Sequence, residues 1–259
     1  MAEYLVFRLY GPMASWGEIA VGESRHSASQ PSRSALLGLL GAALGVRRED
    51  DDAQARLNAG YRFGIKLHAT GHPLRDYHTV QAGPQLKKLT YRTRRQELAL
   101  PTREQLGTLL SAREYRCDAF ATVAVGTTPE APWSLGRLTE ALRYPAFPLY
   151  LGRKSCPLSA PLAPRVAEFD SLKSALDAFD ASPFPELDKD ATRASNIAQR
   201  WLKLGSGQAR YYWDEAWGVE ALAPDSPATM SLTRHDTPTS RRRWQFSPRQ
   251  EFMRLEDAS

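Results

Sequence analysis

YLVFRLYGP, residues 4–12, is a run of aromatic and aliphatic side chains interrupted by Arg8 and ended by Gly11-Pro12. That is the pattern of a strand feeding a turn. A Gly- and Ser-rich loop follows, and then PSRSALLGLLGAALGV at 31–46. Ser32 or Ser34 is the N-cap there, and the apolar run predicts a helix to Val46. Gly38, Gly41 and Gly45 each cost about 1 kcal/mol of helix propensity against Ala, which makes sense if the helix lies close on a sheet. Beyond a charged turn and short helix at 47–60, YRFGIKLHAT (61–70) reads as a second strand and RDYHTVQ (75–81) as a short, polar third. REYRCDAFATVAVG (113–126) is a fourth, with Cys117, Ala119, Ala121 and Val123 on one face, and WSLGRLTEALRYP (133–145) is a helix stopped by Pro145. The order β-α-β-β-α is the opening of an α+β, ferredoxin-like (RRM-like) fold. Later come a glycine-bearing turn, YLGRKSCPL (150–158), an amphipathic helix, DSLKSALDAFDA (170–181), and two strands joined by a polar loop within 230–256.

The charge is as uneven as the hydrophobicity. Arg75, Lys87, Lys88, Arg92, Arg94, Arg95, Arg103, Arg113 and Arg116 face only Asp76, Glu97, Glu104 and Glu114 in the same segment, a net of +5. The whole chain also carries +5, so the remaining residues sum to zero. A localised basic segment is the footprint of a surface that meets phosphates, although a solvated loop explains many charge runs. Arg outnumbers Lys by 27 to 7, which suits paired hydrogen bonds to phosphate and stacking on bases.

Two cysteines, Cys117 and Cys156, are too few for a metal cluster or a disulfide framework. His68 and His72 span a strand end and the Gly71–Pro73 turn, a poor geometry for zinc. No metal or cofactor is expected. The longest apolar stretch, 35–46, is shorter than the roughly 20 residues of a membrane span. With no leader-like N-terminus, the expectation is a soluble, cytoplasmic protein with no membrane partner.

Three constellations carry possible chemistry. Tyr77, Tyr91 and Tyr115 flank the basic segment, so cations would hold a backbone while rings hold unstacked bases. Gly152-Arg153-Lys154-Ser155, preceded by Tyr150, could grip a phosphate; it lacks the spacing of a nucleotide-triphosphatase loop. His78 with Tyr77 and Lys87 could supply the base and acid of metal-free RNA cleavage, although a lone strand His more often packs or hydrogen-bonds.

Taken in order, YLVFRLYGPMASWG, PSRSALLGLLGAALGV, RDYHTV, REYRCDAFATVAV and YLGRKSCPL resemble the CasD family of type I-E CRISPR Cascade subunits. The resemblance covers most of residues 1–160. It implies a ferredoxin-like RNA-binding domain at 1–160 with a basic β-hairpin thumb at about 80–113, then a small C-terminal β-rich domain at 161–259. It also implies a non-catalytic role: capping the 5′ handle of a guide RNA beside a CasC-like backbone subunit and a CasA-like large subunit, and meeting target DNA through the complex. Carried over by position, the handle would touch Met13 and Trp16, then Arg25, His26, Gln30, Arg33 and Ser34 in the loop and helix start. Arg75, His78 and Thr79 follow, with Lys87, Lys88, Arg92 and Arg94 on the thumb and Arg113 with Tyr115 at its base. Tyr150, Gly152, Arg153, Lys154 and Ser155 complete the set, and the N-terminus of the first helix, with Arg33, would face phosphate. The related subunit of type I-C systems implies the alternative, a metal-independent endoribonuclease using His78, Tyr77 and Lys87. A subunit that binds only proteins is the third option.

Overall fold

The run at 4–10 lies in strand β1 (Ala2–Tyr10), and its apolar residues do not alternate with polar ones because both faces are buried. The computed structural model describes residues 1–17, 19–20, 22–85, 90–179, 208–218, 221–222 and 229–257. After β1 come four two-residue strands, β2 (Met13–Ala14), β3 (Trp16–Gly17), β4 (Ser24–Arg25) and β5 (Ser27–Ala28), and then helices α1 (Arg33–Leu44) and α2 (Asp51–Gly60). Strands β6 (Tyr61–Ala69) and β7 (His72–Ala82) precede helix α3 (Arg94–Ala99), which is followed by β8 (Gly107–Cys117), β9 (Phe120–Thr127) and α4 (Leu135–Arg143). The chain ends through β10 (Arg165–Phe169), α5 (Leu172–Asp177), β11 (Gln208–Asp214), β12 (Thr229–Ser240) and β13 (Gln245–Asp257).

Among the described residues the main sheet has seven strands, ordered β10-β1-β9-β6-β11-β13-β12, every neighbouring pair antiparallel. Leu5, Phe7 and Leu9 of β1 pack with Leu36, Leu37 and Leu40 of α1 and Leu138 of α4. Tyr4 and Val6 point the other way, into a cluster with Leu172 and Leu176 of α5 and Trp213 of β11. Each such fully buried side chain contributes about 1.5–3 kcal/mol. Helix α1 starts at Ser32, whose hydroxyl accepts from the Ala35 N–H, and stops at Gly45, which takes a left-handed φ of 79°. Gly38 lies against the Arg241 side chain, not against the sheet: a Cβ there would sit 3.0 Å from an Arg241 nitrogen.

The structure divides two of the expected strands differently. The single strand expected at 113–126 is two, β8 and β9, separated by Asp118 at φ 57°. The short third strand expected at 75–81 is the eleven-residue β7, paired along its length with β8 in a second sheet that also holds β2 and β4. The physical reason is exposure: β7 has no buried residue, so no hydrophobic face binds it to the core sheet. The helix expected at 170–181 is formed over Leu172–Asp177, and residues 180–181 lie outside the described residues.

A buried ionic network ties the C-terminal strands to α1. Arg249 of β13 donates to Asp214 Oδ1 at 3.0 Å, Asp236 Oδ1 at 2.7 Å and Glu251 Oε1 at 2.6 Å. Arg33 bonds to Asp214 and, through Nη2, to the Tyr61 carbonyl at 2.9 Å. Burial pulls the Arg249 pKa down, but the surrounding carboxylates outweigh it and hold the guanidinium charged. Burial pushes the Glu251 pKa up against the pull of Arg249.

His68 of β6 is a half-buried ionisable group. Its ring stacks on Phe120 at 4.7 Å, its Nε2 lies 2.8 Å from Thr122 Oγ1, and burial, with Lys66 nearby, lowers its pKa to about 3. Because the folded pKa lies below the unfolded one, its contribution is intact above about pH 6.5 and is lost as the pH falls toward 3. His68→Gln should flatten that part of the stability profile by up to about 1.4 kcal/mol per pH unit, measured by urea unfolding between pH 7 and 4.5. Parallel wild-type and variant profiles would show that His68 does not titrate in this way.

Candidate nucleic-acid interface

Strands β7 and β8 pair fully from His72↔Cys117 to Ala82↔Gly107, and β7 buries no side chain, while β8 buries Ala112 and Tyr115. Arg75, Thr79 and Arg113 are exposed on this hairpin, and Tyr77 is 62% exposed. Strand β4 runs parallel to β8 and sets Arg25 opposite Arg113. His26 pairs with Glu114 at 3.2 Å, and His78 Nε2 is held by Asp76. At the hairpin's far end the expected β-arm is instead the short helix α3, capped by Thr93. Arg94 is tied there to Glu97 at 2.6 Å, while Arg92 is exposed. Lys87 and Lys88 lie outside the described residues.

A cleft of about 490 Å³ opens between α1, the loop before it, the 148–153 turn and the β12–β13 hairpin. Arg25, Ser34, Tyr150, Gly152 and Arg153 line it, so the structure brings five of the expected residues together. Gly152 is required by packing: its φ is 83°, and a Cβ would meet the Ser15 carbonyl oxygen at 1.9 Å. The close approach is therefore to Ser15, whose N–H donates to the Leu151 carbonyl at 3.0 Å. This seam places Arg153 with its guanidinium carbon 5.1 Å from the Tyr115 ring centre. Arg153 Nη1 is buried and has no hydrogen-bond partner among the described residues, a cost a bound anion would relieve. Lys154 and Ser155 are exposed beside it.

Other expected contacts are committed internally. Arg33 is held in the ionic network, and its backbone N–H donates to Asp236 Oδ2 at 2.7 Å. A protein carboxylate thus already occupies the anion position at the start of α1, so the expectation that this helix end and Arg33 face phosphate is corrected. Gln30 is buried and donates to Glu251 Oε2 at 3.1 Å. Trp16 and Tyr115 are core residues, and Met13 packs half-buried against the core. Gln30, Trp16 and Tyr115 are thus almost fully covered, while Met13 keeps part of its surface exposed.

Sequence reading passed over His235, Arg241, Trp244 and Phe246, which form the hairpin wall of the cleft. The string RRRWQF at 241–246 mixes cations with rings, the same signal that marks the basic segment. Among the described residues no group of three His, Cys, Asp or Glu could hold a metal ion.

The fold is thus an antiparallel α+β core that carries a basic hairpin beside an arginine- and ring-lined cleft. The family model described as CRISPR-associated protein (Cas_Cas5) matches residues 4–250, and the chain belongs to that family. It is 38% identical over 172 residues to the CRISPR system Cascade subunit CasD of Escherichia coli (strain K12), covering 62% of this chain and 70% of that protein. A chain of a solved CRISPR RNA-guided surveillance complex superposes with a TM-score of 0.63 at 25% identity, over 98% of this chain and 90% of that one. A solved Cas protein shares the fold with a TM-score of 0.55 at 21% identity, over 98% and 95% of the two chains.

Proposed function

We propose that this protein is a non-catalytic, cytoplasmic subunit of a Cascade-type surveillance complex that binds and caps the 5′ handle of the guide RNA. One observation carries the reading: an exposed basic hairpin and a cleft containing the unpartnered Arg153 nitrogen meet where Arg25 lies opposite Arg113. Cations on the hairpin hold phosphates, and splayed bases enter the cleft. In this reading β7, β8 and the segment between them are the thumb, and β1, β6, β9 and β10 are the four strands of a ferredoxin-like domain. The order β10-β1-β9-β6, with hairpins and crossovers in the sequence β-α-β-β-α-β, supports that assignment. The ferredoxin-like part then runs through β10 to Phe169, past the boundary expected at 160, and the smaller C-terminal part that follows extends the same sheet through the β6–β11 pair. A CasC-like backbone subunit and a CasA-like large subunit are the neighbours that go with this reading, and target DNA is met through the assembled complex.

The Asp76–His78 hydrogen bond gives the endoribonuclease alternative one point in its favour, since an oriented imidazole suits a general base. His78→Ala separates the two readings. A nuclease loses cleavage and keeps binding, whereas a capping subunit has no cleavage to lose.

Arg113→Ala and Arg153→Ala should each weaken handle binding by about 1–3 kcal/mol, the worth of a charge-assisted hydrogen bond. Fluorescence anisotropy with labelled repeat RNA measures this. Unchanged affinity in both variants would mean the RNA lies elsewhere.

A further inference from the structure

The turn between β12 and β13 holds a bulky residue in the left-handed backbone region. Trp244 takes φ 57°, which a bulky side chain rarely adopts, and it is 57% exposed at the mouth of the cleft. Strain of this kind persists where surroundings hold it, and it collects at ligand sites. Here the surroundings are specific. The Arg48 guanidinium lies 4.4 Å from the indole centre, its Nε donates to the Arg241 carbonyl at 3.2 Å, and Phe246 meets the indole edge-on at 5.5 Å. The ring is thus braced from below while more than half of its surface stays in solvent.

Charge at the same corner is unbalanced. Arg241 is anchored on α1 by a 2.5 Å bond to the Ser34 carbonyl, in the space left by Gly38. Burial, reinforced by neighbouring Arg48, lowers the Arg241 pKa against the pull of Tyr150. Asp236, the acid among the described lining residues, is already bonded to Arg249 and to the Arg33 N–H. A phosphate beside Arg241 and Arg153 would supply the missing negative charge, and a base on Trp244 would use the exposed ring.

We infer that the β12–β13 turn is a second grip on RNA, in which Trp244 stacks one base of a single strand and Arg241 holds the adjoining phosphate. This rests on the handle-binding reading and extends it to a part of the chain that the thumb does not reach. The cleft between hairpin and turn is then a clamp with two walls, one carrying Arg25 and Arg153 and the other Arg241 and Trp244.

The test is anisotropy with the 5′ segment of the guide RNA from the chain's own repeat, intact and with one abasic nucleotide at each position in turn. Trp244→Ala should weaken binding of the intact RNA about 5- to 100-fold, the worth of one stacked base, and Trp244→Phe should restore most of it. At one abasic position the alanine variant and the wild type should bind alike, because the base that Trp244 holds is already missing. If Trp244→Ala binds intact RNA as the wild type does, or loses the same factor at every abasic position, the stacking assignment is overturned while handle binding stands. If the wild type itself fails to bind the segment, the handle reading falls and this inference falls with it.

Discussion

Arg249→Ala is expected to lower the unfolding free energy by about 3–5 kcal/mol, because it removes one of the two arginines that offset three buried carboxylates. Asp214, Asp236 and Glu251 all bond to Arg249, and their side chains are almost fully buried. Burial already pushes the Glu251 carboxyl up against the pull of Arg249, and without that cation it moves further up. Groups shifted in that direction favour the folded state at low pH and cost stability as the pH rises through the folded value. The gap between wild type and variant should therefore be widest near pH 8 and narrow toward pH 5, in urea titrations at fixed salt. The network joins α1, β6, β11, β12 and β13, so the C-terminal strands should loosen first. A decrease below about 1 kcal/mol would show that the network is not what holds them.

Replacing residues 84–105 with a short uncharged turn should weaken RNA binding at least about 100-fold at 0.1 M salt. That corresponds to three charge-assisted hydrogen bonds of about 1 kcal/mol each. The segment carries six cations and two acids, most of the basic excess of the chain. The slope of log Kd against log salt should fall by about 0.7 for each phosphate of a single strand that the shortened hairpin no longer neutralises. Because β7 and β8 pair along their whole length outside the main sheet, the core should melt as in the wild type. Equal affinity and equal salt slope would leave the protein-only reading standing.

Much of the core was legible because its signals are local. The run 4–10, the Ser32 cap and the apolar runs at 61–70 and 120–126 each report burial at their own positions. The hairpin was legible as charge and not as geometry. Nothing local marks Asp118 as the point where β8 leaves one sheet and β9 enters another. Strands β10 and β11 were missed within a stretch rich in proline and charge, where hydrophobic periodicity is weak. Arg33 shows the deeper limit. In sequence it is a cation at a helix start, and only the fold brings Asp214 from 181 residues away to neutralise it. Arg241 and Trp244 were hidden for the converse reason, since their cleft exists only when the C-terminal hairpin docks on α1.

The most direct measurement incubates the purified protein with labelled repeat RNA, with and without the handle segment, and reads mobility shift and a denaturing gel in parallel. Handle-dependent binding with intact RNA is the predicted result. A discrete cut at the handle boundary, abolished by His78→Ala, would contradict the non-catalytic account and make the Asp76–His78 pair its active centre.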